Sequence, residues 1–318
     1  MGYISAIESG NDDFKLKNGR SALSSFGPAL WGCNIIMRKL AVITGATGGL
    51  GRELTRKFWD AGYSLILVSR RADELNSLFR TLADKVNQSV HCATTDLSNP
   101  LQLSLLSDLL TKKQPNVLIN NAAIQGPIGP SWENDMTEIQ STIQVNLLAP
   151  IELCRAVVPG MIVNGGGAII NISGGGATAP RANFTSYATA KAGLIRYSET
   201  LAVETTAYGI KVNCIAPGAM RTGMLGEILK CGAKVAGERE FTMANKVFAE
   251  GGASMESVAE LTLFLTSEAS NGITGKLVSA VWDDWPHWTE HLDELSSSDV
   301  YTLRRITGRD RGFTWGDK

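Results

Sequence analysis

The sequence predicts an α/β protein in a single domain, a doubly wound, seven-stranded parallel sheet flanked by helices on both faces. Two observations carry this prediction. Short apolar runs alternate with amphipathic helical stretches, and each glycine-rich or polar motif falls at the end of a run or at the start of the next helix. The first strand, near residues 39–44 (KLAVIT), passes through TGATGGLG into the helical pattern RELTRKFWDAG. The second, near 64–69 (SLILVS), is followed by two arginines, and the third, near 90–94, leads to TTDLS. A fourth near 116–120 enters NNAA, and one long helix is predicted across about 134–162. The fifth, near 167–173, ends on a serine; the sixth, near 210–216, leads to PGAMRT; the seventh, near 276–280, closes the sheet. In such alternation the ligand belongs beyond the carboxyl ends of the strands.

The chemistry begins with Tyr187 and Lys191, four residues apart in YATAK, and Ser173, fourteen residues before the tyrosine. Residues i and i+4 share a helix face, so a phenol, an ammonium and a strand-end hydroxyl can converge on one carbonyl. Alone, such Tyr/Lys spacing is common by chance and more often marks a surface pair worth a few tenths of a kcal/mol. The glycine turn from Thr44 to Gly51 adds context, because its backbone N–H groups and the following helix N-terminus suit a pyrophosphate.

On these motifs, in this order, the chain resembles the short-chain dehydrogenase/reductase family, of the TGxxxGxG and YxxxK type, from about Arg38 to Lys276. The resemblance implies a Rossmann-type sheet and a nicotinamide cofactor. It assigns Gly45, Gly49 and Gly51 to the cofactor turn, with Thr47, Gly48 and Leu50 between them. Asp96 and Leu97 fall at the adenine ring; Asn121, Ala122 and Ala123 follow the fourth strand; Pro217, Gly218 and Thr222 lie beside the nicotinamide. Ala123 stands where the family has glycine, which loses backbone freedom but no chemical group. Asn146, Ser173, Tyr187 and Lys191 match the catalytic four, and Tyr187 and Lys191 also meet the cofactor.

Reducing a ketone requires a proton at oxygen as hydride reaches carbon, and Tyr187 is the expected general acid, acting as base in reverse. A free phenol has a pKa of about 10, and Lys191 is expected to lower it. Ser173 is expected to donate to the carbonyl oxygen. Pro150 lies four residues after Asn146 and has no N–H for the Asn146 carbonyl, which frees that oxygen for a water or only kinks the helix. The family resemblance implies such a water, linking the asparagine to the catalytic lysine.

At the end of the second strand an acid would bind a ribose 2′-OH, but this chain offers Ser69, Arg70 and Arg71. Guanidinium groups pair with a 2′-phosphate, so NADP(H) is preferred, with NAD(H) as the alternative; Arg52 is a further candidate phosphate contact. The other reading of Arg70 and Arg71 is the solvated start of a helix. Substrate identity is open. Gly174 to Gly176 leave room for a bulky or polyhydroxylated molecule or shape a turn, and Gln125, Trp132 and Asn183 are candidate pocket residues. The resemblance implies a mobile lid over about 223–254, whose mixed charges suggest a solvated face.

Composition excludes several classes. A net charge of −1 gives no field for nucleic acid or anionic lipid, five scattered cysteines form no CxxC pair, and three histidines form no metal motif. With no apolar run near about 18 residues, no membrane span is expected. The expected protein is cytoplasmic, acts on a small molecule and forms a homotetramer or homodimer, as the family does. Three parts are expected: a flexible extension over 1–36, with Met37 as an alternative start; the catalytic domain over 37–281; and an extension over 282–318. Four of the seven tryptophans lie in the last part, which is expected to dock on its own subunit or a neighbour. An NADP(H)-dependent carbonyl/alcohol oxidoreductase is the leading function. A non-catalytic NADP(H) sensor, and a sugar-nucleotide epimerase or dehydratase with transient redox, are the alternatives.

Overall fold

In the computed structural model, which describes residues 39–83 and 85–315, all seven expected strands form within about two residues of their expected bounds. They are β1 (Leu40–Thr44), β2 (Ser64–Ser69), β3 (Val90–Thr94), β4 (Val117–Asn120), β5 (Gly167–Ile172), β6 (Ile210–Ala216) and β7 (Leu277–Ser279). All pairings are parallel, in the order β3-β2-β1-β4-β5-β6-β7. The winding reverses between β1 and β4, which opens a crevice at their carboxyl ends. β1, β2 and β4 are buried along their whole length, so their sequences are continuously apolar rather than alternating.

The helices are α1 (Gly49–Asp60), α2 (Ala72–Arg80), α3 (Pro100–Lys113), α4 (Met136–Ile143), α5 (Ala149–Val163), α6 (Thr185–Thr205), α7 (Gly223–Cys231), α8 (Ala233–Ala236), α9 (Glu238–Glu250), α10 (Met255–Thr266) and α11 (Leu292–Ser297). On one face Leu54, Phe58, Leu75, Val258 and Leu261 of α1, α2 and α10 cover Ile43 and Leu67. On the other, Leu103, Leu153, Val157 and Leu201 of α3, α5 and α6 cover Val42 and Ile66. Adjacent strand residues thus serve opposite cores, as the pleat requires.

The single helix expected over 134–162 is interrupted. A π-turn at Gln144–Leu148 separates α4 from α5, and the Ala149 N–H donates to the Gln144 carbonyl, five residues back. Pro150 explains it: without an N–H opposite Asn146, the regular ladder cannot continue and the helix widens. The run Met136–Val163 is also long and apolar enough to cross a membrane by length and composition, contrary to the expectation that no such run exists. Its apolarity serves the core instead, because Leu153, Val157 and Met161 are fully buried against the sheet.

α7, α8 and α9 form a cap with a small core of its own, in which Leu225, Ile228, Ala236, Ala244 and Val247 close around Phe184. The charged residues of this segment are mostly exposed, as expected, but Glu240 is largely covered. The extension after β7 docks on its own chain. Trp288 and Leu295 join the core beside α1 and α10, and the Trp288 ring lies 4.5 Å from that of Tyr301. The Tyr301 carbonyl accepts from Leu277 N at 2.8 Å, and Lys276 Nζ donates to the carbonyls of Ser298 and Val300, so the β7 edge is covered. Trp282 and Trp315 remain exposed. The expected extension over 1–36 and the Met37 start lie outside the described residues.

Candidate active site

A cavity of about 1060 Å³ opens at the crevice and is walled by the carboxyl ends of the central strands and by the cap. Its floor is the glycine turn. Gly45 has φ +65°, and a Cβ there would sit 2.9 Å from Ala122 Cα; a Cβ on Gly51 would sit 2.1 Å from the Gly45 carbonyl oxygen. Both positions therefore require glycine. Gly48 caps α1 without a side-chain hydrogen bond, and no acid lies in the first helical turn, so an anion placed there meets no internal competitor. The Thr44 hydroxyl accepts from the N–H groups of Asn121 and Ala122, both at 3.0 Å, while Asn121 Nδ2 donates to Thr44 O. These bonds tie NNAA to the turn, and Ala123 needs no left-handed backbone, so its departure from glycine costs nothing here.

At the end of β2 the Ser69 and Thr47 hydroxyls are 2.8 Å apart, and Arg71 Nη2 donates to Thr47 Oγ1 at 3.3 Å. Arg70 and Arg71 both line the cavity, and Arg71 is also shared with Glu74 at 2.8 Å. Arg52 is turned elsewhere: its Nε donates to Thr47 O, its Nη2 lies 3.6 Å from Glu74, and it does not line the cavity. The candidate phosphate contact at Arg52 thus does not border the cavity, because its guanidinium is held by the Thr47 carbonyl beside Glu74. Asp96 accepts from Ser98 Oγ and Ser98 N, which together with the charge of Arg70 hold its carboxyl below the usual range.

Deeper in the cavity, Ser173, Tyr187 and Lys191 line one wall. The Ser173 hydroxyl is buried and has no hydrogen-bond partner among the described residues. Lys191 Nζ donates to the Ile172 carbonyl at 2.8 Å, and burial lowers its pKa to about 8. Burial pushes the Tyr187 phenol up, and the charge of Arg181 opposes that rise. The Lys191 ammonium is held by the strand carbonyl, 5.8 Å from the Tyr187 ring centre. A Cβ on Gly174 would lie 2.3 Å from the Tyr187 hydroxyl, so this glycine makes room for the phenol rather than for a bulky substrate.

Asn146 is fully buried behind the wall and does not line the cavity. Its Oδ1 accepts from Ile124 N at 2.9 Å and its Nδ2 donates to Ile124 O at 2.8 Å, which anchors the segment after NNAA. The other sequence-identified residues, from Gly45 to Thr222, all border the cavity. Of the candidate pocket residues, Gln125 borders it, while Trp132 is exposed elsewhere and Asn183 serves a turn at φ +67°. Arg181, Glu240 and Trp282 were missed; each lies in a segment whose local pattern carries no motif. The residues present fit a dinucleotide along the turn and a carbonyl compound beside Tyr187.

A family model described as short chain dehydrogenase matches residues 39–231. The chain is 29% identical over 243 residues to the 7alpha-hydroxysteroid dehydrogenase of Escherichia coli K12, covering 76% of this chain and 92% of that protein. It is 30% identical over 250 residues to the 3-oxoacyl-(acyl-carrier-protein) reductase of Chlamydia trachomatis, covering 77% and 96%. The crystal structure of L-sorbose reductase from Gluconobacter frateurii with NADPH and L-sorbose superposes with a TM-score of 0.67 at 30% identity, covering 76% and 94%.

Proposed function

The chain belongs to the short-chain dehydrogenase/reductase family of oxidoreductases acting on CH–OH groups, and from that premise we propose that it interconverts a ketone and a secondary alcohol with NADP(H), using Tyr187 as proton carrier. The observation that carries the reading is the buried, unpartnered Ser173 hydroxyl in the same wall as Tyr187 and Lys191. A buried hydroxyl without a partner costs on the order of 1–3 kcal/mol, and a substrate carbonyl oxygen would satisfy it.

A nicotinamide cofactor held along the glycine turn would supply or take up the hydride at the carbinol carbon. The chain handles the oxygen. Ser173 donates to the carbonyl and orients it, and Tyr187, kept protonated by burial, gives its proton as negative charge develops. Lys191, still cationic at neutral pH, supports the phenolate that remains and suits a ribose hydroxyl. The Asn146 carbonyl, deprived of an N–H by Pro150, suits a water that returns the proton from solvent. Ser69, Arg70 and Arg71 favour the 2′-phosphate, hence NADP(H).

The test is NADPH consumption on a broad panel of carbonyl compounds, with turnover expected from the native protein and lost in Tyr187→Phe. A second expectation follows from the 2.3 Å approach at Gly174. Gly174→Ala should displace the phenol and lower kcat by about a hundredfold with NADPH affinity retained. An unimpaired variant would mean that the hydroxyl works from another position.

We also assign a homo-oligomer, dimer or tetramer, supported by exposed apolar side chains at Met136, Leu148, Val163 and Val203 on α4, the π-turn, α5 and α6. A monomer in light scattering would contradict it. The cytoplasm is the assigned compartment, supported by free thiols at Cys92, Cys154, Cys214 and Cys231; recovery in a secreted fraction would argue against it.

A further inference from the structure

We propose that Arg181 is a positioning residue for Tyr187: a guanidinium held over the phenol ring by Glu240 of α9, through which the cap governs the charge felt by the reacting hydroxyl. This rests on Tyr187 being the proton carrier. Arg181 belongs to the loop between Ser173 and α6, and its guanidinium carbon lies 3.9 Å from the ring centre of Phe184 and 5.9 Å from that of Tyr187. Cations stack on aromatic faces at such distances. Its Nε and Nη2 both donate to Glu240 Oε2, at 3.0 and 2.7 Å, across 59 residues of chain. A Cβ on Gly176 would meet Ala188 Cβ at 2.8 Å and Arg181 Cβ at 3.1 Å, so the glycines after Ser173 accommodate this arginine.

Among the described ion pairs, this alone has both side chains less than a fifth exposed, at 13% and 15%. Exposed pairs contribute little and are screened, whereas a covered pair holds its geometry and its field. Burial raises the Tyr187 pKa and Arg181 pulls it back. Glu240 opposes that pull because it neutralises part of the guanidinium charge. The other charged or titratable groups around the phenol are Lys191 on α6, with Cys214 of β6 behind it, and Glu138, Glu227 and Arg239 on the cavity wall. None of them stacks on the tyrosine except Lys191, which is committed to the Ile172 carbonyl.

The two partners therefore act in opposite directions, which a merely structural clasp would not do. Alcohol oxidation with NADP⁺ requires the phenolate, so kcat/KM rises with pH through the Tyr187 pKa. Arg181→Gln removes the cation and should move that limb up by about half to one pH unit; Glu240→Gln unmasks the cation and should move it down by a similar amount. Arg181→Lys keeps the charge and should restore most of the native profile. As a readout that needs no substrate, the ultraviolet tyrosinate titration of each variant is taken as a difference against the same variant carrying Tyr187→Phe, and the same opposite shifts are expected. Limbs that stay in place, or that move the same way in both variants, would overturn the proposal. If Tyr187→Phe abolishes turnover while the limbs stay fixed, the positioning role fails and the proton carrier stands. If Tyr187→Phe leaves turnover intact, the proton-carrier reading fails, and the positioning role for the reaction falls with it.

Discussion

Tyr187→Phe is expected to lower kcat/KM for ketone reduction by about 100- to 10,000-fold, the range that a positioned general acid contributes. Phenylalanine keeps the ring that packs in the wall and loses only the hydroxyl beside Gly174, so NADPH affinity should fall far less than turnover. The loss then lies in the chemical step and not in uniform binding. The measurement is NADPH absorbance over keto sugars, keto nucleotide sugars, acyl thioesters and cyclic ketones, with native protein and variant side by side. This breadth is warranted because the relatives named above differ in substrate, with a steroid, an acyl-carrier-protein derivative and a sugar among them. Equal turnover by the variant would remove Tyr187 from the mechanism. Product formed with no net loss of NADPH would point instead to transient redox, as in an epimerase or dehydratase. Full biological activity of the variant in the source cell would favour a sensor.

The second large effect concerns cofactor choice. Replacing Arg70 and Arg71 together by alanine should raise the KM for NADPH by about 10- to 100-fold and leave that for NADH nearly unchanged. Hydrogen bonds to a charged group contribute about 1.5–3 kcal/mol each. The Arg71 side chain is 54% exposed and already shared with Glu74, so the lower part of the combined effect is expected. Ser69 and Thr47 remain to hold a ribose hydroxyl in the variant, which is why NADH should be spared. Equal losses with both cofactors would mean that these arginines shape the loop and do not read the phosphate.

Much of the fold was legible because strands buried on both faces are written as uninterrupted apolar runs. SLILVS and KLAVIT announce themselves without any knowledge of their neighbours. The turn at Gly45 and Gly51 was legible for a similar reason, since close backbone approach demands glycine within a few residues of chain. The helix across 134–162 was half legible. Pro150 marked the lost hydrogen bond, but whether the chain would kink, break or widen depends on what it packs against, and the sheet holds it as a π-turn. Arg181 was not legible. Nothing within its loop distinguishes it from a solvated arginine until Phe184, Tyr187 and Glu240 are brought around it.

By itself the sequence determined the strand and helix alternation, the glycine turn and the Ser173, Tyr187 and Lys191 spacing, because each depends on backbone geometry over a few neighbouring residues. Only the tertiary structure decided that Trp288 is core while Trp282 stays exposed, that Arg52 leaves the cavity, and that the cap sets a cation over the phenol. Such outcomes depend on burial and charge shared between segments far apart in the chain. Local periodicity carries no record of those partners.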